Sequence, residues 1–308
     1  MGFEQLAALL QQQGIPCRRD EPMCYHTTFR VGGPAALFIQ PQTVLQAQEA
    51  LRLLDRSGLP RFLLGKGSNL LVTDDPLPLA VVHLGAGLDA VTRVDDTTIH
   101  AQAGASLMEV CRRARDWGLS GLEFAYGIPG AVGGGVYMNA GAYGGELKDV
   151  IAQVDYLDEA GAHHTAPARE LDFRYRHSVF GDRPWWILGA TFRLTPGDPA
   201  VIGETMRDIY GRRQAKQPLE YPSAGSTFKR PDGAYAAALI DQCGLKGCTV
   251  GGAQVSEKHA GFIINREGAT CADILALIAR VRQTVRQQTG FCLEREVMLL
   301  GREDAPPT

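Results

Sequence analysis

The stretch GLEFAYGIPGAVGGGVYMNAGAYGGE, Gly121 to Glu146, decides how this chain is read. It is too long and glycine-rich for one helix or strand, and too apolar for a flexible linker. Glycine lets a backbone approach a ligand closely and take φ > 0, and successive exposed N–H groups in such turns form anion-binding concavities. A second segment, LGKGSNLLV (64–72), repeats this character between two apolar runs. Either one alone could be an elaborate surface turn. Both together, with Asn69, Asn139 and Tyr143 inside them, point to a large phosphate-bearing cofactor held mostly by main chain.

The 308 residues predict two or three domains. With 45% hydrophobic and 21% charged residues the chain can bury a sizeable core. A net charge of −3 gives no nucleic-acid footprint. No apolar run reaches the about 20 residues of a membrane helix. The start, MGFEQLAALLQQQGIP, reads as a short amphipathic helix stopped by Gly14 and Pro16, without the basic region and cleavage site of a signal peptide. The cysteines at 17, 24, 111, 243, 248, 271 and 292 are scattered, odd in number and lack a C-x-x-C. This predicts a reducing cytoplasm and neither a disulfide framework nor a metal site, Cys243 and Cys248 included.

Periodicity predicts three units. In residues 1–85 a helix over Thr43–Ser57 is followed by strands at Phe62–Leu64, Leu70–Thr73 and Leu79–Leu84, which together form a small α/β unit. Residues 86–200 hold a strand at Thr98–Ala103 and a helix from Ser106 to Trp117, with Glu109 in capping-box position. The glycine stretch and strands near Gln153–Asp158 and Trp185–Leu194 complete this unit. Residues 201–302 hold helices at Ile202–Lys216, Tyr235–Cys243 and Ala272–Gln288, the last capped by Thr270 and Asp273. Strands are expected at Phe262–Asn265 and Glu296–Leu300, with a frayed tail at Ala305–Thr308.

Two motifs mislead. Gly85-Ala-Gly-Leu-Asp-Ala90 matches a weak dinucleotide fingerprint, but a turn follows where the helix N-terminus of a pyrophosphate site is required. Gly65-Lys66-Gly67-Ser68 shares letters with a P-loop without its four-residue spacing.

Polar residues stand in apolar or glycine-rich settings in Arg174-Tyr-Arg-His-Ser178, in Tyr221-Pro-Ser-Ala-Gly-Ser-Thr-Phe-Lys-Arg-Pro231 and in Leu293-Glu-Arg-Glu-Val297. Singly, each has a plain explanation: an arginine stem lying on apolar surface, a turn serine, a solvated glutamate. The ordered set TFRVGGPA (28–35), LGKGSNLLV (64–72), the 121–146 stretch, YRHS (175–178), SAGSTFKRP (223–231), LIDQCGLKG (239–247), GGAQVSEKHAGFIIN (251–265) and LEREV (293–297) resembles the UDP-N-acetylenolpyruvoylglucosamine reductase (MurB) family over residues 25 to 300. It is most similar to the subclass lacking a tyrosine-bearing loop insertion. Arg230 stands where many members have Asn.

The resemblance implies an α+β fold: a two-domain FAD-binding fold of the vanillyl-alcohol oxidase type (1–85 and 86–200) plus a third, substrate-binding α/β domain (201–302). It implies a cytoplasmic, monomeric UDP-N-acetylmuramate dehydrogenase of peptidoglycan synthesis, with non-covalent FAD and NADPH as hydride donor. Its substrate would be the enolpyruvyl ether of UDP-N-acetylglucosamine. The resemblance places Arg30, Gly65, Lys66, Gly67, Ser68, Asn69, Leu70, Gly127, Ile128, Pro129, Gly130, Gly133, Gly134, Asn139, Ala140, Gly141 and Ala142 at the cofactor. It places Tyr143, Arg213, Lys216, Lys229, Gln254 and Asn265 at the substrate.

Three catalytic residues are implied. Hydride on the vinyl carbon leaves a carbanion beside a carboxylate, and preorganised donors must meet that charge. Arg176 and Glu296 would stabilise it, Arg176 as a permanent fork of donors and Glu296 if burial keeps it protonated. Ser226 would protonate the carbon, helped by water, Lys216 or Lys229. Gly67→Val is expected to remove FAD while sparing most of the fold. A flavin-dependent oxidase of the same broad fold has no use for such a proton donor. A non-catalytic nucleotide-binding module would show no flavin absorbance.

Overall fold

A computed structural model describes residues 1–302; the expected tail at Ala305–Thr308 lies outside the described residues. The chain forms two compact units. The first comprises Met1–Arg19, Leu37–Lys66 and Leu79–Arg213; the second comprises Asp20–Ala36, Gly67–Pro78 and the chain from Gln214 onward.

In the first unit, helices α1 (Phe3–Gln12) and α2 (Val44–Ser57) bury Leu6, Leu10, Ala47, Leu51 and Leu54. The Thr43 hydroxyl caps α2 by accepting from the Gln46 amide, and Gly58 ends it in the left-handed region. A four-stranded sheet runs in the order Cys17–Pro22, Pro34–Ile39, Leu77–His83, Arg61–Leu64, with the last two parallel. A five-stranded antiparallel sheet runs His163–Pro167, Ile151–Leu157, Trp186–Arg193, Thr98–Gln102, Val91–Arg93. Its middle strand is buried from Trp186 to Phe192, Thr191 included.

Helix α3 (Leu107–Asp116) starts at Ser106 as expected, but the Ser106 hydroxyl accepts no cap bond. Glu109 pairs instead with Arg112 and Arg113, at 2.9 Å each, so one turn of ion pairs replaces the expected box. The glycine stretch contains the short helix α4 (Val132–Tyr137). After Gly85-Ala86-Gly87 no helix follows; the next regular element is the strand Val91–Arg93. Helix α5 (Pro199–Lys216) ends the first unit and runs into the second.

In the second unit, an antiparallel sheet runs Ser223–Ser226, Phe262–Asn265, Ala253–Val255, Thr249–Val250, with α6 (Ala236–Gln242) and α7 (Cys271–Thr289). The N-terminus of α7 is capped twice. Thr270 and Asp273 form the expected box, and Asp74 accepts from the amides of Cys271 at 3.0 Å and Ala272 at 3.3 Å. Burial pushes the Asp273 carboxyl up, but hydrogen bonds from Thr270 and Gly252 outweigh it and hold the group below the usual range. One strand differs from expectation. Leu70–Val72 does not join the sheet of its sequence neighbours; it pairs in parallel with Met298–Leu300. A run of three buried apolar residues cannot announce so distant a partner.

Candidate active site

Among the described residues, six non-glycine positions have φ > 0: Asp20, Arg30, Asn139, Tyr143, Asp172 and Arg176. Arg30, Asn139, Tyr143 and Arg176 are all residues that the sequence assigned to the site. Such backbone costs about 1–3 kcal/mol and persists where its surroundings over-determine it.

In the first unit, the turn before α4 is stitched by main chain. The amides of Leu107, Val132 and Gly133 donate to the carbonyls of Gly130, Ala105 and Ala103 at 2.8–3.0 Å. The three glycines of α4 divide their work. A Cβ at Gly133 would press on Ala103 at 3.1 Å, and one at Gly135 on Leu147 at 2.9 Å, whereas one at Gly134 would meet only open space. A Cβ on Gly65 would meet nothing nearer than the Gly134 nitrogen at 3.9 Å. Gly65 and Gly134 therefore present bare backbone to free space. Beside them Lys66 is held below the ordinary lysine range by burial and by the Arg112 cation. Open glycine faces flanked by two cations fit a diphosphate-bearing group such as FAD.

Two hairpins follow. Gly141–Ala142 pairs with Gly145–Glu146 across the two-residue loop Tyr143-Gly144, with φ of 51° and 89°. Such loops favour Asn-Gly; a tyrosine here is held against preference. Its ring lies under the guanidinium groups of Arg212 at 5.2 Å and Arg213 at 5.7 Å. Arg213 is buried, which lowers its pKa, with Tyr143 and Tyr210 opposing. The chain at Gly127 is covered by the side chains of Arg213 and Tyr210.

The second hairpin carries Arg176. The amides of Arg174 and His177 each donate to the other's carbonyl, leaving Tyr175 and Arg176 at the tip. Arg176 donates to the Gly141 carbonyl at 3.4 Å. Ser178, fully buried, anchors the base by donating to the Tyr137 carbonyl at 2.7 Å. Asp172, His177 and Asp182 cluster at its foot, and the Arg174 guanidinium already bonds Asp172 and His177. The Asn139 carboxamide is spent inside the protein, on the Lys148 amide, the Glu146 carboxylate and the Arg174 carbonyl, 3.0 Å each.

In the second unit, Ser226 ends an edge strand at a register shift beside Gly225, whose φ is 75°, and its side chain is exposed. Glu296 lies against it in the backbone: the Glu296 amide donates to the Thr227 carbonyl at 2.9 Å. Phe228 bridges to Arg295, and Lys229 pairs with Glu294 at 3.2 Å. Thr227, fully buried, fixes this segment by donating its amide to Gly261 and accepting from Ile263. Asn69 joins the group, its side chain donating to the Glu296 carbonyl at 3.4 Å and its own carbonyl accepting from Met298. The two sequence segments are thus brought together here. Arg30 is exposed at the tip of a turn closed by Thr27. Arg230 stacks over Tyr235 at 4.0 Å.

Gly67 departs from expectation. Its φ is 60°, and a Cβ would collide with the His26 carbonyl oxygen. Gly67→Val therefore strains the loop itself, whatever its effect on the cofactor. Gln254 and Asn265 are buried and internally bonded. Gln254 bonds Gly247, Thr249 and Arg266; Asn265 bonds Phe29 and Ala269.

Lys216 lines a cavity of about 310 Å³ with Asp241, Lys246, Lys258 and His259. The last three were missed as individual site residues, although they stand in the quoted segments 239–247 and 251–265. Burial lowers the His259 pKa, and its Nδ1 accepts from the Gly261 amide, which leaves Nε2 as the donor.

A family model described as an FAD binding domain matches residues 35–166, and one for the UDP-N-acetylenolpyruvoylglucosamine reductase C-terminal domain matches 217–300. The relative of that reductase name in Geobacillus kaustophilus (strain HTA426) is 48% identical over 301 residues, 98% of each chain. That in Shouchella clausii (strain KSM-K16) is 46% identical over 288 residues, 94% of this chain and 92% of its own. The crystal structure of the Thermus caldophilus reductase is 33% identical, with a TM-score of 0.80 over 93% of this chain and 99% of that one. Among the described residues, no helix is long and apolar enough to cross a membrane. Near-complete coverage at this identity, on an α+β fold whose glycine cradle fits a phosphate-bearing cofactor, makes this chain a member of the UDP-N-acetylenolpyruvoylglucosamine reductase family.

Proposed function

We propose that this chain is an NADPH-dependent UDP-N-acetylmuramate dehydrogenase, reducing the enolpyruvyl ether of UDP-N-acetylglucosamine for peptidoglycan synthesis and so for cell shape and division. The observation that best supports this reading beyond family membership is that Ser226 and Glu296 stand on paired segments, the Glu296 amide donating to the carbonyl of Thr227, next to Ser226. A flavin oxidase, which protonates no substrate carbon, has no use for a serine proton donor there.

When bound, FAD would supply the two-electron hydride chemistry that links NADPH to the vinyl carbon. The remaining work falls to the chain. In the first unit, Gly65, Lys66, Gly127, Ile128, Pro129, Gly130, Gly133 and Gly134, with Ala140, Gly141 and Ala142, would hold the cofactor; Arg30, Gly67, Ser68, Asn69 and Leu70 are the candidates that the second unit offers. Asn139 contributes main chain, its side chain being engaged.

Arg176, and Glu296 in its protonated form, stabilise the charge that develops beside the substrate carboxylate. Ser226 donates its hydroxyl proton to the carbon and is reprotonated from water. Tyr143, Arg213, Lys216 and Lys229 contact the substrate, and Gln254 and Asn265 hold the backbone of its wall. The three bases around Lys216 suit the diphosphate of a sugar nucleotide.

Residues 1–85, 86–200 and 201–302 serve as two FAD-binding subdomains and a substrate domain. The protein is a cytoplasmic monomer without nucleic-acid partners. Seven free cysteines and a net charge of −3 support the compartment and the absence of a nucleic-acid field.

NADPH oxidation is measured with and without the enolpyruvyl sugar nucleotide. Oxidation that requires the nucleotide is expected. Flavin that an alcohol or amine reduces and NADPH does not would favour the oxidase, and purified protein without flavin bands would favour a non-catalytic module. Acid precipitation should release the flavin into the supernatant.

A further inference from the structure

We infer that Glu146 and Asn139 form a positioning relay that fixes the Arg176 hairpin, an inference that rests on the catalytic role proposed for Arg176. Neither residue is asked to touch the substrate. The Asn139 amide group has two hydrogens, and both are placed: one on the Glu146 carboxylate and one on the Arg174 carbonyl, each at 3.0 Å. Its oxygen accepts from Lys148. The side chain is 1% exposed and the backbone stands at φ 42°. A conformation of that kind, with every hydrogen-bonding atom engaged, is over-determined.

What Asn139 holds is the base of the turn whose tip is Arg176. Arg174 and His177 close that turn, and Arg176 itself stands at φ 53°. Glu146 acts on the same guanidinium by a second route. It pairs in register with Gly141, whose carbonyl accepts from Arg176. Lys148 bonds the Glu146 carboxylate at 2.6 Å. Hydrogen bonds from Lys148 and Asn139, with the Arg176 charge, hold Glu146 below the usual carboxylate range. A charged acceptor thus fixes the carboxamide, and the carboxamide fixes the turn. Hydrogen bonds to charged groups are the stronger class, and a catalytic group displaced by about 1 Å can lose about 10²-fold in rate.

The test compares Glu146→Ala with Glu146→Gln, which keeps an acceptor oxygen of the same reach. Flavin content, melting temperature and the limiting rate of reoxidation of NADPH-reduced protein by saturating enolpyruvyl sugar nucleotide are measured. Glu146→Ala should keep flavin content and melting temperature near wild type and lose about 10²-fold in the limiting rate. Glu146→Gln should recover most of that loss. In an Arg176→Ala background, Glu146→Ala should add less than about twofold, since residues acting through one another are not additive. A wild-type rate for Glu146→Ala, no recovery in Glu146→Gln, or full multiplication of the two losses overturns the relay. Should Glu146→Ala not load flavin, Glu146→Asp is read in the same cycle. Its carboxylate is one methylene short of the Asn139 amide, and it carries the same expectations. Arg176→Ala reoxidised at the wild-type rate would remove the role of Arg176 itself, and the relay with it.

Discussion

The turns bearing Arg30, Tyr143 and Arg176 and the N-terminus of α7 obey opposite rules. At α7 every local preference is met: Thr270 caps, Asp273 reciprocates, and Asp74 takes two further amides. At the turns, charged or bulky side chains occupy backbone that favours glycine or asparagine. Local agreement makes a stable element, and local disagreement marks where stability has been given up for another purpose.

Three substitutions sharpen this contrast. Ser226→Ala should leave NADPH reduction of the flavin near wild type and slow reoxidation by the sugar nucleotide about 10²–10⁴-fold. Stopped-flow absorbance resolves the two steps, and the reverse pattern would end the role of Ser226.

Arg30→Gly is expected to raise the stability of the apoprotein by about 1 kcal/mol, because glycine takes φ 56° without cost. FAD affinity should fall at the same time. A variant neither more stable nor weaker in flavin binding would break the link between unfavourable backbone and function.

Thr270→Ala should cost about 1 kcal/mol at neutral pH and leave both half-reactions unchanged. The sign with pH follows from the lowered Asp273. Its contribution is full above the ordinary aspartate pKa and is lost as pH falls through the depressed value. The difference between Thr270→Ala and wild type in urea melts should therefore shrink in acid. A difference constant across that range would contradict the cap.

What the sequence made legible was local or written in motifs. The α7 box and stripe, the Thr43 cap and the strand Phe262–Asn265 follow from spacing over a few residues. The glycine segments announced a cradle, but not which glycines face outward: Gly134 opens to space while Gly67 is demanded by the His26 carbonyl. The Ser106–Glu109 spacing matched a box, yet Arg112 and Arg113 compete for the glutamate. The resemblance placed Asn139, Gln254 and Asn265 at ligands, and motifs do not show which internal bonds such side chains make. Gln254 bonds within its own hairpin region, whereas Asn265 reaches Phe29, 236 positions away.

The parallel pairing of Leu70–Val72 with Met298–Leu300 also sets an order of events during synthesis. Asn69 and Glu296, which bond beside that pair, are 227 positions apart. At roughly 5–20 residues per second on the ribosome, the early strand waits about 10–45 s for its partner. The first unit is complete by Arg213 and can close while the chain is still growing. The second can pair Leu70–Val72 only once Met298–Leu300 has emerged, so a nascent chain stalled short of Met298 would expose an unpaired apolar edge there and offer it to chaperones.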